Sequence, residues 1–185
     1  EFLVLRNSSS ILDFMDNYCQ PPCGQISFNL VPISSVNRSR YVSVPVTRRF
    51  QYRAESNPEH NKWVKAIVNP TAVLQDRFWL HTFPLKKHWV WKDTSGRIIR
   101  SGNQRWNMQT NLHLPLDKAV LYHFYDLSEE EFHFRRSGVN LNRRNTTKAY
   151  RNQKIFDIFD DTPWQVLRNS VPTYARFDNV QDMGQ

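Results

Sequence analysis

Residues 105–116 read RWNMQTNLHLPL, and polar and apolar side chains alternate along them with almost no interruption. A period of two places one set of side chains on each face of a β-strand, whereas a helix would scatter both sets around its circumference. The same alternation runs from Val42 to Tyr52, where Pro45 indicates a strand at the edge of a sheet. Both stretches therefore predict strands with one buried and one solvated face.

Several shorter stretches also have strand character. Lys92 to Gly96 has the composition of a hairpin turn, and the continuous apolar run from Ala119 to Tyr125 is typical of a buried strand. Further strands are predicted at 25–31, 77–83, 87–91, 97–100 and 154–159. Helices are predicted where a capping residue or a proline precedes an apolar stripe, at 8–15, 57–68, 128–131 and 162–167, with an extended tail from Val171.

This pattern of elements predicts a mainly β fold. Seven to nine short strands with frequent turns favour an antiparallel β-sandwich or a jelly-roll-like barrel, with three or four short helices. An α+β arrangement with a curved sheet is the second choice. The length of 185 residues suits one domain, and no repeat or linker divides the sequence, so a single domain over residues 1–185 is expected.

The charge balance indicates an acidic partner. The formal net charge is +8, which favours association with nucleic acid, an anionic surface or a polyanionic glycan. No apolar run approaches the roughly 20 residues of a membrane-spanning helix, so no membrane span is expected.

Basic residues occur in pairs, and one stretch of the chain concentrates them. Residues 135–154 are rich in Lys and Arg and contain no Asp or Glu, and neutral asparagines stand between the charges. Arginine binds phosphate in a two-pronged way that lysine does not. A solvated loop that balances the acidic run Glu129–Glu131 is the alternative. The predicted nucleic-acid or polyanion site consists of Arg48, Arg49, Arg53, Arg135, Arg136, Arg143, Arg144, Lys148 and Arg151.

Cys19 and Cys23 are the two cysteines of the chain. The spacing permits a disulfide that closes a small loop, two free thiols, or half of a metal site, and two free thiols are the favoured interpretation. Three N-glycosylation sequons begin at Asn7, Asn37 and Asn145. They are compatible with a secreted protein, although a chain this rich in Asn, Ser and Thr would contain about as many by chance.

No local catalytic motif is present, and neither a cofactor nor a metal is expected. A nucleophile elbow, a phosphate-binding loop and a dinucleotide fingerprint are all missing from the sequence. His123 lies in an apolar run near Asp126 and would serve as a general base only if an acid held it; a buried structural histidine is the simpler interpretation. Asp157, Asp160 and Asp161 are better explained as a helix cap and solvated charges than as a Mg²⁺ site.

These features together predict a function class. The first expectation is a non-enzymatic, self-assembling structural protein of viral coat type, located in a virion, that contacts nucleic acid through its basic loop. The alternative is an extracellular β-domain that binds a protein or glycan, and the weaker alternative is a small barrel enzyme that uses His123. Self-association and an acidic polymer are thus the expected partners.

Overall fold

The structure is a computed structural model that describes residues 1–35, 40–55, 61–74, 81–99, 110–124, 128–131, 134, 156 and 158–180. Within these residues the fold is mainly β, as the sequence predicts. The strands are β1 (Phe2–Leu5), β2 (Cys23–Ser34), β3 (Tyr52–Arg53), β4 (Val64–Val68), β5 (Val90–Asp93), β6 (Ala119–Phe124) and β7 (Ile158–Phe159). The helices are α1 (Ile11–Tyr18), α2 (Val46–Arg49) and α3 (Thr162–Ser170), with 3-10 helices at Pro70–Ala72 and Pro172–Phe177 and a helical turn at 129–131.

The seven strands belong to one mixed sheet. Its hydrogen-bonded order is β1-β6-β2-β3-β7, and β4 and β5 also pair with β2. β4 runs antiparallel to β2 from Gln25 to Asn29, whereas β5 runs parallel to it from Cys23 to Ser27. The expected purely antiparallel arrangement was therefore wrong for this pair of strands. The finer expectation of a sandwich or jelly roll stays a prediction.

The chain divides into two compact units. The first unit comprises Phe2–Val31 and Ser56–Leu121, and the second comprises Glu1, Pro32–Glu55 and Tyr122–Gln185.

The core of the first unit forms where α1 packs on β2. The sequence offers three serines, at 8–10, as possible caps of this helix, and the structure uses Ser10, whose hydroxyl accepts the backbone N–H of Asp13 at 3.1 Å. Phe14 is completely buried, and its ring centroid lies 4.8 Å from that of Tyr18 and 5.5 Å from that of Phe28. The buried members of the cluster are Phe14, Cys23, Ile26, Phe28, Leu30, Ala119 and Leu121.

β2 also buries the polar side chains of Gln25, Ser27 and Asn29, and all three have hydrogen-bond partners inside the first unit. The amide of Asn29 donates to the carbonyl oxygens of Asn61 at 2.9 Å and Asn111 at 2.8 Å. Trp91 Nε1 donates to the hydroxyl of Ser27 at 2.6 Å. Because buried polar groups are costly unless they are hydrogen-bonded, these pairs allow a strand that is buried along its whole length.

The hairpin turn after β5 is confirmed. The Asp93 carboxylate accepts hydrogen bonds from Ser95 and from the backbone N–H of Arg97, and Gly96 takes a φ of +83°. Glycine adopts this left-handed region without steric cost. Lys92 then faces Ile98 across an antiparallel bridge.

The prediction of a strand at 105–116 was wrong for the residues that are described. Only Thr110 makes a bridge there, to Trp63, while residues 101–109 lie outside the described part of the chain. Leu114 has a φ of +47°, and Leu112 is 61% exposed although Asn111 is buried. The Leu112 side chain faces solvent because its neighbour Asn111 points inward, where it donates a hydrogen bond to Asn29. Hydrophobic periodicity does not reveal such a buried polar contact.

The prediction of a strand from Val42 to Tyr52 was also largely wrong. Residues 46–49 form helix α2, and only Tyr52 belongs to a strand, β3. Pro45 has a φ of −52° and stands just before the helix, where its carbonyl oxygen accepts the N–H groups of Arg48 and Arg49. A fixed φ suits a helix start as well as a strand edge, so the proline did not distinguish the two.

Two further expectations need correction. The predicted helix at 57–68 is strand β4 over Val64–Val68, where β-branched side chains favour the pleated surface beside β2; residues 56–60 lie outside the described part. The tail from Val171 is not extended, because Pro172–Phe177 forms a 3-10 helix. The strand predicted at 77–83 falls mostly outside the described residues.

The second unit joins short elements through strand β3. β3 pairs antiparallel with the end of β2 on one side and with β7 on the other. α3 buries Pro163 and Trp164, and it starts one residue after Asp161, close to the predicted position. The capping box predicted at Ser128 is present, since its hydroxyl and N–H both bond Glu131 and the N–H of Glu131 bonds back to that hydroxyl.

Candidate functional site

Three of the nine predicted binding residues lie in the described part of the chain, all in the second unit. Arg48 and Arg49 are on α2 and Arg53 is on β3. The other six residues lie outside the described residues, namely Arg135, Arg136, Arg143, Arg144, Lys148 and Arg151.

Arg49 is held by an acid and by aromatic rings. Its Nη1 lies 2.8 Å from Glu131 Oε2, and the two side chains are only 12% and 19% exposed. The guanidinium carbon lies 5.1 Å from the ring centroid of Tyr41 and 4.9 Å from that of Phe50. Burial raises the pKa of Glu131, but hydrogen bonds from Arg49 and Ser128 outweigh it and lower the pKa below its ordinary value of 4.5.

Arg53 belongs to a second network, centred on Asp160. Arg53 Nε and the Tyr122 hydroxyl both donate to Asp160 Oδ2, at 2.8 and 3.0 Å, and the backbone N–H of Thr162 donates to Oδ1 at 3.1 Å. Burial raises the pKa of Asp160, but the hydrogen bonds from Thr162, Tyr122 and Arg53 together lower it below its ordinary value of 3.8. The carboxylate therefore stays ionised and ties β3, β6 and α3 together.

Arg48 has weaker contacts than its two neighbours. Its guanidinium lies 3.4 Å from Gln51 Oε1 and 3.5 Å from the carbonyl oxygen of Asp178. Arg49 and Arg53 thus serve mainly to neutralise acids of the chain itself, and a phosphate could contact them only by displacing a carboxylate. The two oxygens that Arg48 contacts are both neutral.

Acid should weaken the second unit through these two carboxylates. Their pKa values are lower in the folded chain than when unfolded, so their contribution is fully present above about pH 4.5 and is lost as the pH falls through the folded values. We expect the free energy of unfolding, measured by denaturant titration, to fall steeply below pH 4.5 in the wild type and less steeply in Asp160→Asn. Asp16→Asn, which changes an exposed carboxylate, should keep the wild-type profile. Equal profiles for wild type and Asp160→Asn would contradict this assignment.

The sequence favours a helix cap and solvated charges for the acidic group near α3, but Asp160 is not solvated, since its side chain is only 12% exposed and pairs with Arg53. Asp161 stands at the N-cap position of α3 without a hydrogen bond from its side chain to the helix backbone, and its Oδ2 accepts a hydrogen bond from the Gln165 side chain at 2.9 Å. Asp157 lies outside the described residues. In the part of the chain that the structure describes, no group of three or more His, Cys, Asp or Glu is arranged to hold a metal ion.

His123 has an acidic neighbour, although a different one from that expected. Its Nε2 lies 3.2 Å from Glu1 Oε1, and the side chains are 22% and 37% exposed. Asp126, the neighbour expected from sequence, lies outside the described residues. A carboxylate beside an imidazole orients the ring, as in a general acid–base pair. The use of His123 in an enzyme stays a prediction.

Cys19 and Cys23 are joined by a disulfide. Their Cα atoms lie 5.0 Å apart, within the ordinary range for such a bond. The bond links the C-cap of α1 to the first residue of β2, and Cys23 is buried in the core of the first unit. The interpretation of the two cysteines as free thiols, which the sequence favoured, was therefore wrong. Spacing alone does not show that one cysteine ends a helix and the other begins a strand, which is what brings the two sulfurs together.

Comparison with protein-family models and with curated proteins gives no significant match to this chain. Among the described residues, none of the helices combines the length and the apolar character that a bilayer crossing requires.

Proposed function

We propose that this chain is a β-rich protein of an oxidising compartment that binds an acidic glycan. The disulfide between Cys19 and Cys23 is the observation that carries the proposal. Structural disulfides form and persist outside the reducing cytosol, in the secretory pathway, on cell surfaces and in the extracellular space. Among the alternatives that the sequence left open, the disulfide favours the extracellular one.

The charge of the chain supports an acidic partner for this protein. The net charge is +8, and residues 135–154 carry many of the basic side chains without a single acid. Because Arg49 and Arg53 are already paired with Glu131 and Asp160, the proposal assigns binding mainly to Arg135, Arg136, Arg143, Arg144, Lys148 and Arg151. Sulfate and carboxylate groups of a glycan accept the same charge-assisted hydrogen bonds as phosphate.

A second candidate function is the self-assembling coat-type protein. The same basic segment favours it, since arginines and asparagines suit contacts to a phosphate backbone. It further requires that the strands complete a sandwich or jelly roll within a single domain. Sedimentation that shows only monomers at high protein concentration would exclude this candidate and leave the glycan proposal standing.

The disulfide provides the test of the compartment. We expect the chain isolated from the cells that make it, with free thiols alkylated at lysis, to carry no alkyl group on Cys19 or Cys23. No Lys or Arg stands between Arg6 and Arg38, so one tryptic peptide reports both cysteines. Alkylation of both thiols in the native chain would overturn the proposal.

Reduction should also lower the stability of the folded chain. The chain-entropy treatment of a loop this short gives about 2 kcal/mol for the bond. We expect a reductant to lower the free energy of unfolding of the wild type by that amount and to leave Cys19→Ala/Cys23→Ala unchanged. A wild type that responds to the reductant no more than this variant would show that the bond does not contribute.

A further inference from the structure

The segment between β1 and α1 contains one of the three sequons. Asn7-Ser8-Ser9 follows the end of β1 at Leu5 and precedes the N-cap Ser10. The backbone bends at Arg6 and Asn7, and both residues are exposed. A bulky group on Asn7 would therefore project from the surface of the first unit without displacing its core.

Three other asparagines of the first unit lie where a glycan would not fit. Asn29, Asn61 and Asn111 are all buried, and they form the polar network beside β2. None of the three is followed by a Ser or Thr two positions later. The sequon therefore coincides with exposed, irregular backbone, which is where a glycan is compatible with the fold.

The disulfide is the second and independent observation. It lies in the same unit, at the far end of α1 from the sequon. The eukaryotic compartment in which disulfides form also contains the machinery that glycosylates Asn-X-Ser/Thr sequons. We propose that Asn7 is an N-glycosylation site, an inference that rests on the compartment in the proposed function.

The modification is a group transfer from a lipid-linked donor. Asn7 Nδ2 forms a bond to the anomeric carbon of an oligosaccharide carried on a polyprenyl diphosphate. The bond between that carbon and the diphosphate oxygen breaks, and the lipid diphosphate leaves with the electron pair. The amide nitrogen loses one proton, and no oxidation or reduction occurs. Ser9 supplies the hydroxyl that the sequon requires.

The test follows the chain through a eukaryotic secretory pathway, entered by means of an added signal peptide. On a denaturing gel, each attached glycan slows the chain by one step that a glycosidase removes. We expect one such step to be lost in Asn7→Gln and also in Ser9→Ala, a variant that keeps the acceptor asparagine. Ser9→Thr preserves the sequon and should retain the step. Asn17→Gln, an exposed asparagine outside any sequon, serves as the control and should retain it too.

Peptide mapping of the same secreted material separates this inference from the proposed function. Chymotryptic cleavage at Phe14 divides Asn7 from the two cysteines. A bare Asn7 peptide beside an intact disulfide would overturn the glycosylation site alone. Alkylated cysteines in the natively produced chain would overturn the compartment, and with it both proposals. A glycan on the Asn7 peptide that disappears in Ser9→Ala establishes the site.

Discussion

Replacing Arg53 by Ala is expected to lower the free energy of unfolding by about 2–3 kcal/mol, because it leaves a largely buried carboxylate without its cation. Asp160 is only 12% exposed, and Arg53 Nε lies 2.8 Å from its Oδ2. The Tyr122 hydroxyl and the Thr162 N–H remain, so the carboxylate is not stripped of all donors. We therefore place the cost below the 3–5 kcal/mol typical of a fully buried pair.

The neighbouring arginine offers a matched control for this prediction. Arg48→Ala removes the same charge from the same segment, but its contacts are 3.4 and 3.5 Å long and involve no carboxylate. We expect it to cost less than about 1 kcal/mol. Combining Arg53→Ala with Asp160→Asn should recover part of the loss, as a double-mutant cycle in denaturant would measure. Equal losses for Arg48→Ala and Arg53→Ala would show that the ion pair does not stabilise the second unit.

Local signals in the sequence predicted the elements that local interactions determine. Helix α1 followed from a capping serine among residues 8–10, and the buried strand β6 followed from the apolar run that begins at Ala119. The turn at Gly96 and the capping box at Ser128 likewise depend on residues within four positions of each other. Both partners of each of these contacts lie close together in the sequence, and for that reason the contacts could be predicted.

The failures have a long-range cause. Periodicity placed Asn111 on a solvated face, yet it is buried because Asn29, 82 positions away, provides its partner. Arg49 and Arg53 were predicted to bind phosphate. Instead, Arg49 pairs with Glu131, 82 positions away, and Arg53 pairs with Asp160, 107 positions away. A sequence shows the charge of such residues and not their neighbours. The pairs of basic residues therefore predicted an acidic partner, but they did not show which arginines pair with acids of the chain itself and which remain to bind the partner.

We also expect a large loss of polyanion binding when arginines of the basic segment at 135–154 are removed. Each phosphate-like contact releases counterions, and for duplex DNA the affinity falls with salt at a slope of about 0.9 per contact on logarithmic axes. Removing four contacting arginines should therefore reduce the slope by about three to four and weaken binding at low salt by orders of magnitude. The variant Arg135→Ala/Arg136→Ala/Arg143→Ala/Arg144→Ala makes this change.

A control variant removes the same charge from scattered exposed positions. Arg6, Arg40, Lys87 and Arg176 are all exposed. Their simultaneous replacement by Ala lowers the net charge equally but leaves residues 135–154 intact. If net charge alone attracted the polyanion, both quadruple variants would weaken binding to the same extent.

The most direct measurement is the dissociation constant for heparin, a sulfated glycan, as a function of salt concentration, for the wild type and both quadruple variants. We expect the control variant to keep nearly the wild-type slope and the variant in residues 135–154 to lose most of it. An unchanged slope in the latter variant, or equal losses in both, would contradict the assignment of acidic-glycan binding to this segment.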